Sequence, residues 1–242
     1  MHIDQSDFHD QLVRGLTHKM NNILSLFHGY LGLLMDDKKL DPSTVAGLAR
    51  IREGAKAASE LMDRTKVLAR PSSVVWREVS VADLFRRMQP DFDAATGGRG
   101  IDLRIDLPDN LPTIWTDTAR LKTAILELVR NACEASPAGE AVKIEVIAES
   151  QQTATPSAAG KAAQPITWIS INITDNGGGI PPELSEKIFH PFFSTKQKTN
   201  ATGLGLTVAL GLVQQLGGGL RYQSKPGLTT FRLLLPSRTR LV

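Results

Sequence analysis

Apolar residues in the first seventy positions recur with the spacing of an α-helix. Residues 8–35 contain no proline, and their apolar side chains are separated by alternating steps of four and three: Leu16, Met20, Ile23, Phe27, Tyr30 and Leu34. Such spacing is typical of a seam between packed helices. The sequence therefore predicts a long first helix with one face that needs a partner.

A second helix is predicted from the turn at residues 36–44 to about Arg70, just before Pro71. Pro42 and Ser43 suit a helix start. Its predicted inner face consists of Leu48, Ile51, Ala55, Ala58, Met62 and Thr65. A two-helix hairpin buries too little apolar surface to be stable alone, so we expect a homodimer in which two hairpins form a four-helix bundle.

After Pro71 the pattern changes to that of strands alternating with helices. Strands are predicted at 101–107, 141–149, 166–174, 220–224 and 229–236, and helices at 81–94, 117–135 and 203–216. The expected fold is α + α/β, with a helical hairpin over residues 1–72 and an α/β domain with mixed strands over 73–242. Residues 150–165 are poor in bulky apolar side chains and are predicted to form a flexible excursion between two strands.

Composition excludes several classes of protein. The net charge of +3 is spread along the chain, without the clustered basic face that nucleic-acid binding usually requires. The single cysteine, Cys133, rules out an intramolecular disulfide and fits a reducing compartment. Because no apolar run reaches the roughly 18 residues of a membrane span, we expect a cytoplasmic protein without a membrane segment.

The first helix carries a candidate phosphate acceptor in the segment LTHKMNN, residues 16–22. With Leu16 and Met20 on the seam, His18 falls on the outer face and Asn22 lies one turn further along. On this pattern alone, an ordinary surface histidine is the favoured interpretation and a phosphate acceptor is the alternative.

The predicted helix at 117–135 carries Glu127 and Asn131, four residues apart, opposite an apolar face. A carboxylate and an amide oxygen on one turn suit a hydrated Mg²⁺ ion. The structural alternative is an ordinary surface pair.

Two glycine-rich segments follow. Asp175 ends a strand and precedes three glycines, so its carboxylate is placed to accept a hydrogen bond from an amine such as that of adenine. Gly203 and Gly205 open a helix whose first N–H groups favour phosphate, and Lys196 adds a positive charge nearby. The polar residues 195–202 are predicted to form a mobile lid over the nucleotide. Each segment alone could be a simple glycine loop.

Taken in order, these segments resemble the N, G1, F and G2 boxes of the GHKL-type ATP-binding fold. DNA gyrase, a heat-shock chaperone, a mismatch-repair ATPase and the sensor histidine kinases share that two-layer α/β sandwich. Residues 217–236 look like the closing hairpin of the kinase branch, and the resemblance covers residues 75–236. It implies ATP and Mg²⁺ as cofactors.

The resemblance also implies specific roles for residues of this chain. Asn131 is expected to bind Mg²⁺ directly, and Glu127 is expected to act on it through water. Asp175 is expected to read adenine. The other nucleotide contacts are expected from Gly177, Gly179, Lys196, Gly203, Leu204, Gly205 and Thr230.

Beside such a domain, the hairpin resembles the dimerisation and histidine-phosphotransfer module of a two-component histidine kinase. The interpretation of His18 then changes to a phosphoacceptor that attacks the γ-phosphate of ATP. The phosphoryl group is expected to pass to an aspartate on the receiver domain of a response regulator. Imidazole is mostly neutral and nucleophilic at pH 7.

The chain departs from this family at Lys19, where an acidic residue usually follows the phosphoacceptor. An ammonium group has no acceptor, so it cannot take a proton from the ring. Because general-base assistance is typically worth ~10²- to 10⁴-fold, autophosphorylation is expected to be slow or absent. Lys19 could instead steer the phosphoryl group. Asn22 matches the family position that orients water for hydrolysis of the regulator's phosphoaspartate.

Two other functions compete with an active kinase. One is a phosphorelay adaptor that passes phosphate through His18 without using ATP. The other is a GHKL ATPase without phosphotransfer, or an anti-sigma serine kinase, and the histidine-bearing hairpin argues against both. Only seven residues precede Phe8, so we expect either a separate sensor protein or a core cut from a longer chain.

Overall fold

The computed structural model describes residues 5–36, 40–68, 73–151, 166–195 and 202–237. The chain divides into two compact units. One comprises Met1–Pro71 together with Pro191–Leu204, and the other comprises Ser72–His190 together with Gly205–Val242. The sequence analysis placed the domain boundary between residues 72 and 73. It did not predict that Pro191–Leu204 would belong to the first unit.

The first unit contains two long helices, α1 (Gln5–Met35) and α2 (Pro42–Leu68), which pack against each other as the predicted hairpin. Asp41 caps α2, because its carboxylate accepts hydrogen bonds from the backbone N–H groups of Ser43 (2.9 Å) and Thr44 (3.0 Å). Hydrogen bonds from the Ser43 and Thr44 side chains and backbone hold the pKa of this carboxyl far below its ordinary value.

Inside the hairpin, α1 buries a different face from the predicted seam. Thr17, Leu24 and Leu31 are buried, as is Ala55 on α2. The seam residues are instead 39–67% exposed and form an apolar stripe on α1, here called the α1 stripe: Leu16, Met20, Ile23, Phe27, Tyr30 and Leu34. Ile51 is 53% exposed, so its assignment to the inner face of α2 is wrong for the single chain.

The second unit is built on a five-stranded mixed sheet of order β2-β4-β5-β7-β6. The strands are β2 (Asp102–Asp106), β4 (Ala141–Gln151), β5 (Ile166–Asp175), β6 (Gly219–Lys225) and β7 (Leu228–Pro236). β2 and β4 are parallel, and the other neighbours are antiparallel. A separate antiparallel ribbon joins β1 (Arg77–Ser80) to β3 (Thr113–Thr116).

Three helices contribute to this unit: α3 (Val81–Thr96), α4 (Thr118–Ala135) and α5 (Gly205–Gln215). α4 contacts both other helices and β5. One face of the sheet is apolar and fully buried, with Ile144, Ile171, Ile173, Phe231 and Leu233. These layers confirm the predicted fold of helices followed by an α/β sandwich. A short 3₁₀ turn at Pro182–Leu184 and the ribbon strands were not predicted.

The start of α4 is fixed by a buried polar cluster. Asp117 caps the helix by accepting from the backbone N–H groups of Ala119 (3.1 Å) and Arg120 (3.2 Å). It also forms a 2.6 Å ion pair with the Arg120 guanidinium and accepts from the Val75 backbone N–H at 3.0 Å. The Asp117 carboxylate therefore connects the segment before β1, at Val75, to the first turn of α4.

Across the part of the chain that the structure describes, no helix has the length and hydropathy of a membrane-spanning segment.

Candidate functional site

Glu127 is the most unusual side chain of α4. It is only 5% exposed, although it is an acid on a helix, and its Oε1 lies 3.6 Å from the Arg130 guanidinium. A buried carboxylate is costly unless it has polar partners or a bound cation. Asn131, one turn later, is half-buried. The alternative of an ordinary surface pair is therefore wrong for Glu127.

The second carboxylate, Asp175, ends β5 and is 2% exposed. Its Oδ1 accepts a hydrogen bond of 2.9 Å from the backbone N–H of Gly177. A Cβ on Gly177 would lie 2.8 Å from the Ala135 carbonyl oxygen at the end of α4, so only glycine fits there. Gly179 has φ +82°, and its Cβ would lie 2.6 Å from the Lys225 carbonyl oxygen. Gly177 thus allows the turn after β5 to approach the end of α4, and Gly179 allows it to approach the end of β6.

The residue on β7 that shares the Asp175 face of the sheet is Thr229, not Thr230. Thr229 pairs with Asp175 in the β5–β7 register and is 3% exposed. Its hydroxyl is 2.9 Å from that of Ser224, which accepts from the backbone N–H of Ile180 at 2.8 Å. Thr230 pairs with Thr174 on the opposite face, with 2.9 Å between their hydroxyl oxygens.

Thr230, a predicted nucleotide contact, is therefore on the opposite face of the sheet from Asp175. Sequence reasoning missed Thr229, although the alternation of β7 pointed to it. Thr229 has the same strand parity as the apolar, inward-facing Phe231 and Leu233.

The first residue of α5 lies against the Glu127 carboxylate. A Cβ on Gly205 would be 3.0 Å from Glu127 Oε2. The hydroxyl of Thr207 donates to the Phe189 carbonyl oxygen at 2.9 Å, which fixes the first turn of α5. Free N–H groups at a helix start favour phosphate, while an adjacent carboxylate repels it. This pairing suits a phosphate that arrives with a divalent cation.

The oxygen ligands on α4 suit a partly hydrated Mg²⁺ ion better than a metal ion bound only by protein side chains. Within the described ranges, no group of three or more His, Cys, Asp or Glu side chains is placed to hold an ion. A Mg²⁺ ion usually keeps several waters and is bound by one or two protein oxygens together with substrate phosphates. The carboxylate of Glu127 and the amide oxygen of Asn131 match that requirement.

In the first unit, the backbone before α5 is held in a conformation that requires glycine. Gly203 has φ +66°, and a Cβ there would lie 2.4 Å from the Phe192 carbonyl carbon. Leu204, a predicted nucleotide contact, is fully buried. Lys196 and most of the predicted lid, residues 196–201, lie outside the described residues.

On α1, His18, Lys19 and Asn22 are exposed, which confirms that His18 lies on an outer face. His18 Nδ1 lies 3.5 Å from Asn22 Nδ2. The neighbouring Asn21 donates through Nδ2 to Asp63 Oδ1 on α2 at 3.1 Å. Together with the buried Thr17, this contact fixes the rotation of α1 and directs His18 away from α2.

Comparison with known proteins agrees with these features. The sequence profile described as histidine kinase-, DNA gyrase B-, and HSP90-like ATPase matches residues 116–239. The sensory histidine kinase/phosphatase NtrB of Vibrio alginolyticus is 31% identical over 226 residues, covering 93% of this chain and 61% of that protein. The sensor kinase CckA of Brucella abortus is 27% identical, with 93% of this chain and 24% of the relative covered.

A solved structure with the same fold is that of full-length ShkA in complex with AMPPNP. It matches with a TM-score of 0.72 at 19% identity and covers 95% of this chain and 46% of that one. The chain thus spans between about a quarter and three-fifths of the length of these curated relatives.

Proposed function

Because the chain belongs to the histidine kinase-, DNA gyrase B- and HSP90-like ATPase family, as a two-component histidine kinase core, we propose that it phosphorylates His18 from Mg-ATP. The phosphoryl group then passes to an aspartate on the receiver domain of a response regulator. The observation that carries this proposal is the buried Glu127 carboxylate against the start of α5, on the same helix as Asn131.

The nucleotide is held by residues of the second unit. Asp175 accepts from the exocyclic amine of adenine, and the Thr229 hydroxyl supports the same end of the nucleotide. Asn131 and the water held by Glu127 bind Mg²⁺, which neutralises phosphate charge beside the Glu127 carboxylate. The backbone N–H groups at the start of α5 bind the phosphates, with the positive end of the helix dipole behind them.

The chemical step occurs at an exposed ring nitrogen of His18. Because Asn22 faces Nδ1, Nε2 is the nitrogen left accessible, and it attacks in the tautomer that carries the ring proton on Nδ1. Its lone pair forms the N–P bond to the γ-phosphorus as the bond to the bridging oxygen breaks, and ADP leaves with that electron pair. The ring proton on Nδ1 is lost afterwards to an acceptor or to water.

A second activity, hydrolysis of the regulator's phosphoaspartate, is favoured by the residues that flank His18. Lys19 cannot accept a proton, which slows the kinase reaction, whereas Asn22 is exposed and able to orient a water. The relative from Vibrio alginolyticus is described as a kinase/phosphatase. We propose that this chain also combines both activities.

The proposed assembly is a homodimer formed by the α1 stripe. Six apolar side chains at seam spacing remain exposed in the single chain, and a second copy would bury them in a four-helix bundle. The reaction partners, ATP and a receiver domain, belong to the cytoplasm, so we propose that location.

Incorporation of ³²P from labelled Mg-ATP tests the proposed function directly. We expect label on the wild-type chain and none on His18→Gln, while thermal shift shows that both bind Mg-ATP. Binding to the folded state raises its stability by RT ln(1 + [L]/Kd). Nucleotide binding without label on the wild type would favour an ATPase without phosphotransfer. Absence of both would favour the adaptor function.

A further inference from the structure

Among the described residues, the side chain of Asn22 lies within hydrogen-bond range of the His18 ring. The two nitrogen atoms, Nδ1 of the ring and Nδ2 of the amide, are 3.5 Å apart. This is long for a hydrogen bond, but such contacts at reaction sites are often long before the substrate is bound. Both side chains lie on the exposed face of α1, one turn apart.

A neutral imidazole carries one proton, and the nitrogen that holds it has no lone pair for attack. For Nε2 to be the nucleophile, the proton must reside on Nδ1. A group that accepts a hydrogen bond at Nδ1 therefore favours the reactive form, and a group that donates there favours the unreactive form. Lys19 has only donors, so it cannot favour the reactive form.

A carboxamide can do either, depending on its orientation. With Nδ2 of Asn22 toward Nδ1, the ring accepts the hydrogen bond and its proton sits on Nε2. A half-turn of the amide group brings Oδ1 to the same place, so that Nδ1–H donates to it and Nε2 is free to attack. The exposed position of Asn22 leaves room for this rotation.

We infer that Asn22 is the positioning residue that sets the tautomer of His18, with its amide oxygen taking the place of the acid that residue 19 lacks. This inference rests on the proposed role of His18 as phosphoacceptor. It gives Asn22 a second task besides orienting water for hydrolysis. Asn22 then contributes to phosphorylation by directing the proton on Nδ1, without touching the transferred group.

The tautomer itself is measurable without any phosphorylation. Long-range ¹H–¹⁵N spectra of the full chain with ¹⁵N-labelled histidine would be recorded near pH ~8, where an ordinary imidazole is neutral. The His18 signals are assigned by their loss in His18→Gln. We expect wild type to favour Nδ1–H and Asn22→Leu, which has a similar size but no polar atoms, to shift toward Nε2–H. An unchanged tautomer ratio in Asn22→Leu would overturn the inference.

A double-mutant cycle gives an independent kinetic test. In the Lys19 background, Asn22→Leu is expected to lower the initial rate of label incorporation about tenfold, a part of the usual ~10²- to 10⁴-fold effect of proton transfer, with the KM for ATP unchanged. In the Lys19→Glu background the same change should cost less than twofold, because the new carboxylate accepts from Nδ1. Equal losses in both backgrounds would contradict the inference.

Ser25→Ala serves as the control in both experiments, since Ser25 is an exposed polar residue of α1 whose hydroxyl donates to the Asn21 carbonyl oxygen at 2.8 Å. It should change neither the tautomer nor the rate. If the wild-type chain takes up no label, the proposed kinase function fails, while the spectra still decide whether Asn22 sets the tautomer.

Discussion

The carboxylate of Glu127 lies against the first residue of α5, with Oε2 3.0 Å from the point that a Cβ on Gly205 would occupy. This contact joins the acid of α4 to the helix start at which a phosphate would bind. It also makes position 205 a sensitive probe of the proposed site.

Gly205→Ala is expected to displace the Glu127 carboxylate and weaken Mg-ATP binding about three- to tenfold. The added methyl carbon would lie closer to the carboxylate oxygen than ordinary van der Waals contacts allow. The carboxylate must therefore move, which would disturb the proposed metal site. Isothermal titration with Mg-ATP measures the effect. Gly219→Ala is the control, because a Cβ there meets nothing within 4 Å. Unaltered affinity in Gly205→Ala would argue against a nucleotide phosphate at this place.

Thr229→Val is expected to weaken ATP binding, whereas Thr230→Val is not. Each substitution removes a threonine hydroxyl from one of two neighbouring positions of β7. Of the two, only Thr229 pairs with Asp175. Losing one neutral hydrogen bond typically costs about 1 kcal/mol, or roughly fivefold in affinity. Competition with a fluorescent nucleotide compares the two variants. A larger loss of ATP affinity in Thr230→Val would mean that the nucleotide contacts the face of the sheet that bears Thr230.

Gly179→Ala is expected to destabilise the second unit by about 1–3 kcal/mol. Its φ of +82° is unfavourable for any residue with a Cβ, and that Cβ would lie 2.6 Å from the Lys225 carbonyl oxygen. Urea denaturation gives the change in the free energy of unfolding. The neighbouring Gly178→Ala, which meets no atom within 4 Å, should cost much less. Similar losses in both would mean that the turn after β5 tolerates a Cβ.

Asp117→Asn is expected to lose stability at neutral pH, and the loss should shrink below about pH 4. Burial raises the pKa of Asp117, but hydrogen bonds from Val75 and Arg120 and the Arg120 charge outweigh it, so the pKa lies below the ordinary value. A depressed pKa in the folded state adds stability above the unfolded-state value, and this is lost as the pH falls through the folded-state value.

Asparagine keeps an oxygen that can cap α4, so the loss comes from the charge on the hydrogen bonds and on the ion pair with Arg120, which typically adds about 1 kcal/mol. Denaturation of wild type and Asp117→Asn from pH 7 to pH 3 measures the difference. If the difference in the free energy of unfolding between the two proteins stays constant from pH 7 to pH 3, the charge of Asp117 does not contribute to stability.

Phe27→Glu is expected to convert the proposed dimer to monomers. Phe27 is 52% exposed on the α1 stripe, and burying a phenylalanine is worth about 1.5–3 kcal/mol, so the dimer should weaken at least tenfold. Light scattering after size-exclusion chromatography reports the mass. Ser25→Glu adds the same charge on the opposite side of α1 and should leave the dimer intact. A Phe27→Glu dimer would place the interface elsewhere.

The fold was predictable where periodicity was long and unambiguous. All five strands of the main sheet and the helices α1 to α5 were expected from the sequence, because each contains enough turns or alternations to set a period. β1 and β3 have four residues each, too few for alternation to distinguish a strand from a loop. The spacing of apolar residues also does not show which face of a helix packs against which other helix. Ile51 was therefore assigned to a buried face, although it is exposed.

The site was predictable as a set of residue types but not as a set of distances. The burial of Glu127 and its contact with Gly205 depend on how α4 and α5 pack, which no spacing within one segment reveals. Thr230 was chosen over Thr229 although strand parity distinguishes them. The roles of all the predicted site residues remain predictions, those of Glu127 and Asp175 included.

The α1 helix offers three sides, and two of them have an occupant in the proposed dimer. One side, with Thr17, Leu24 and Leu31, is covered by α2, and the α1 stripe is covered by a second copy. What remains is the strip that bears His18 and Asn22, which also includes the exposed Leu26 and Leu33. Under the proposed function, an ATP donor and a receiver domain would both reach the same imidazole from this strip, so the two encounters would exclude each other and follow in sequence.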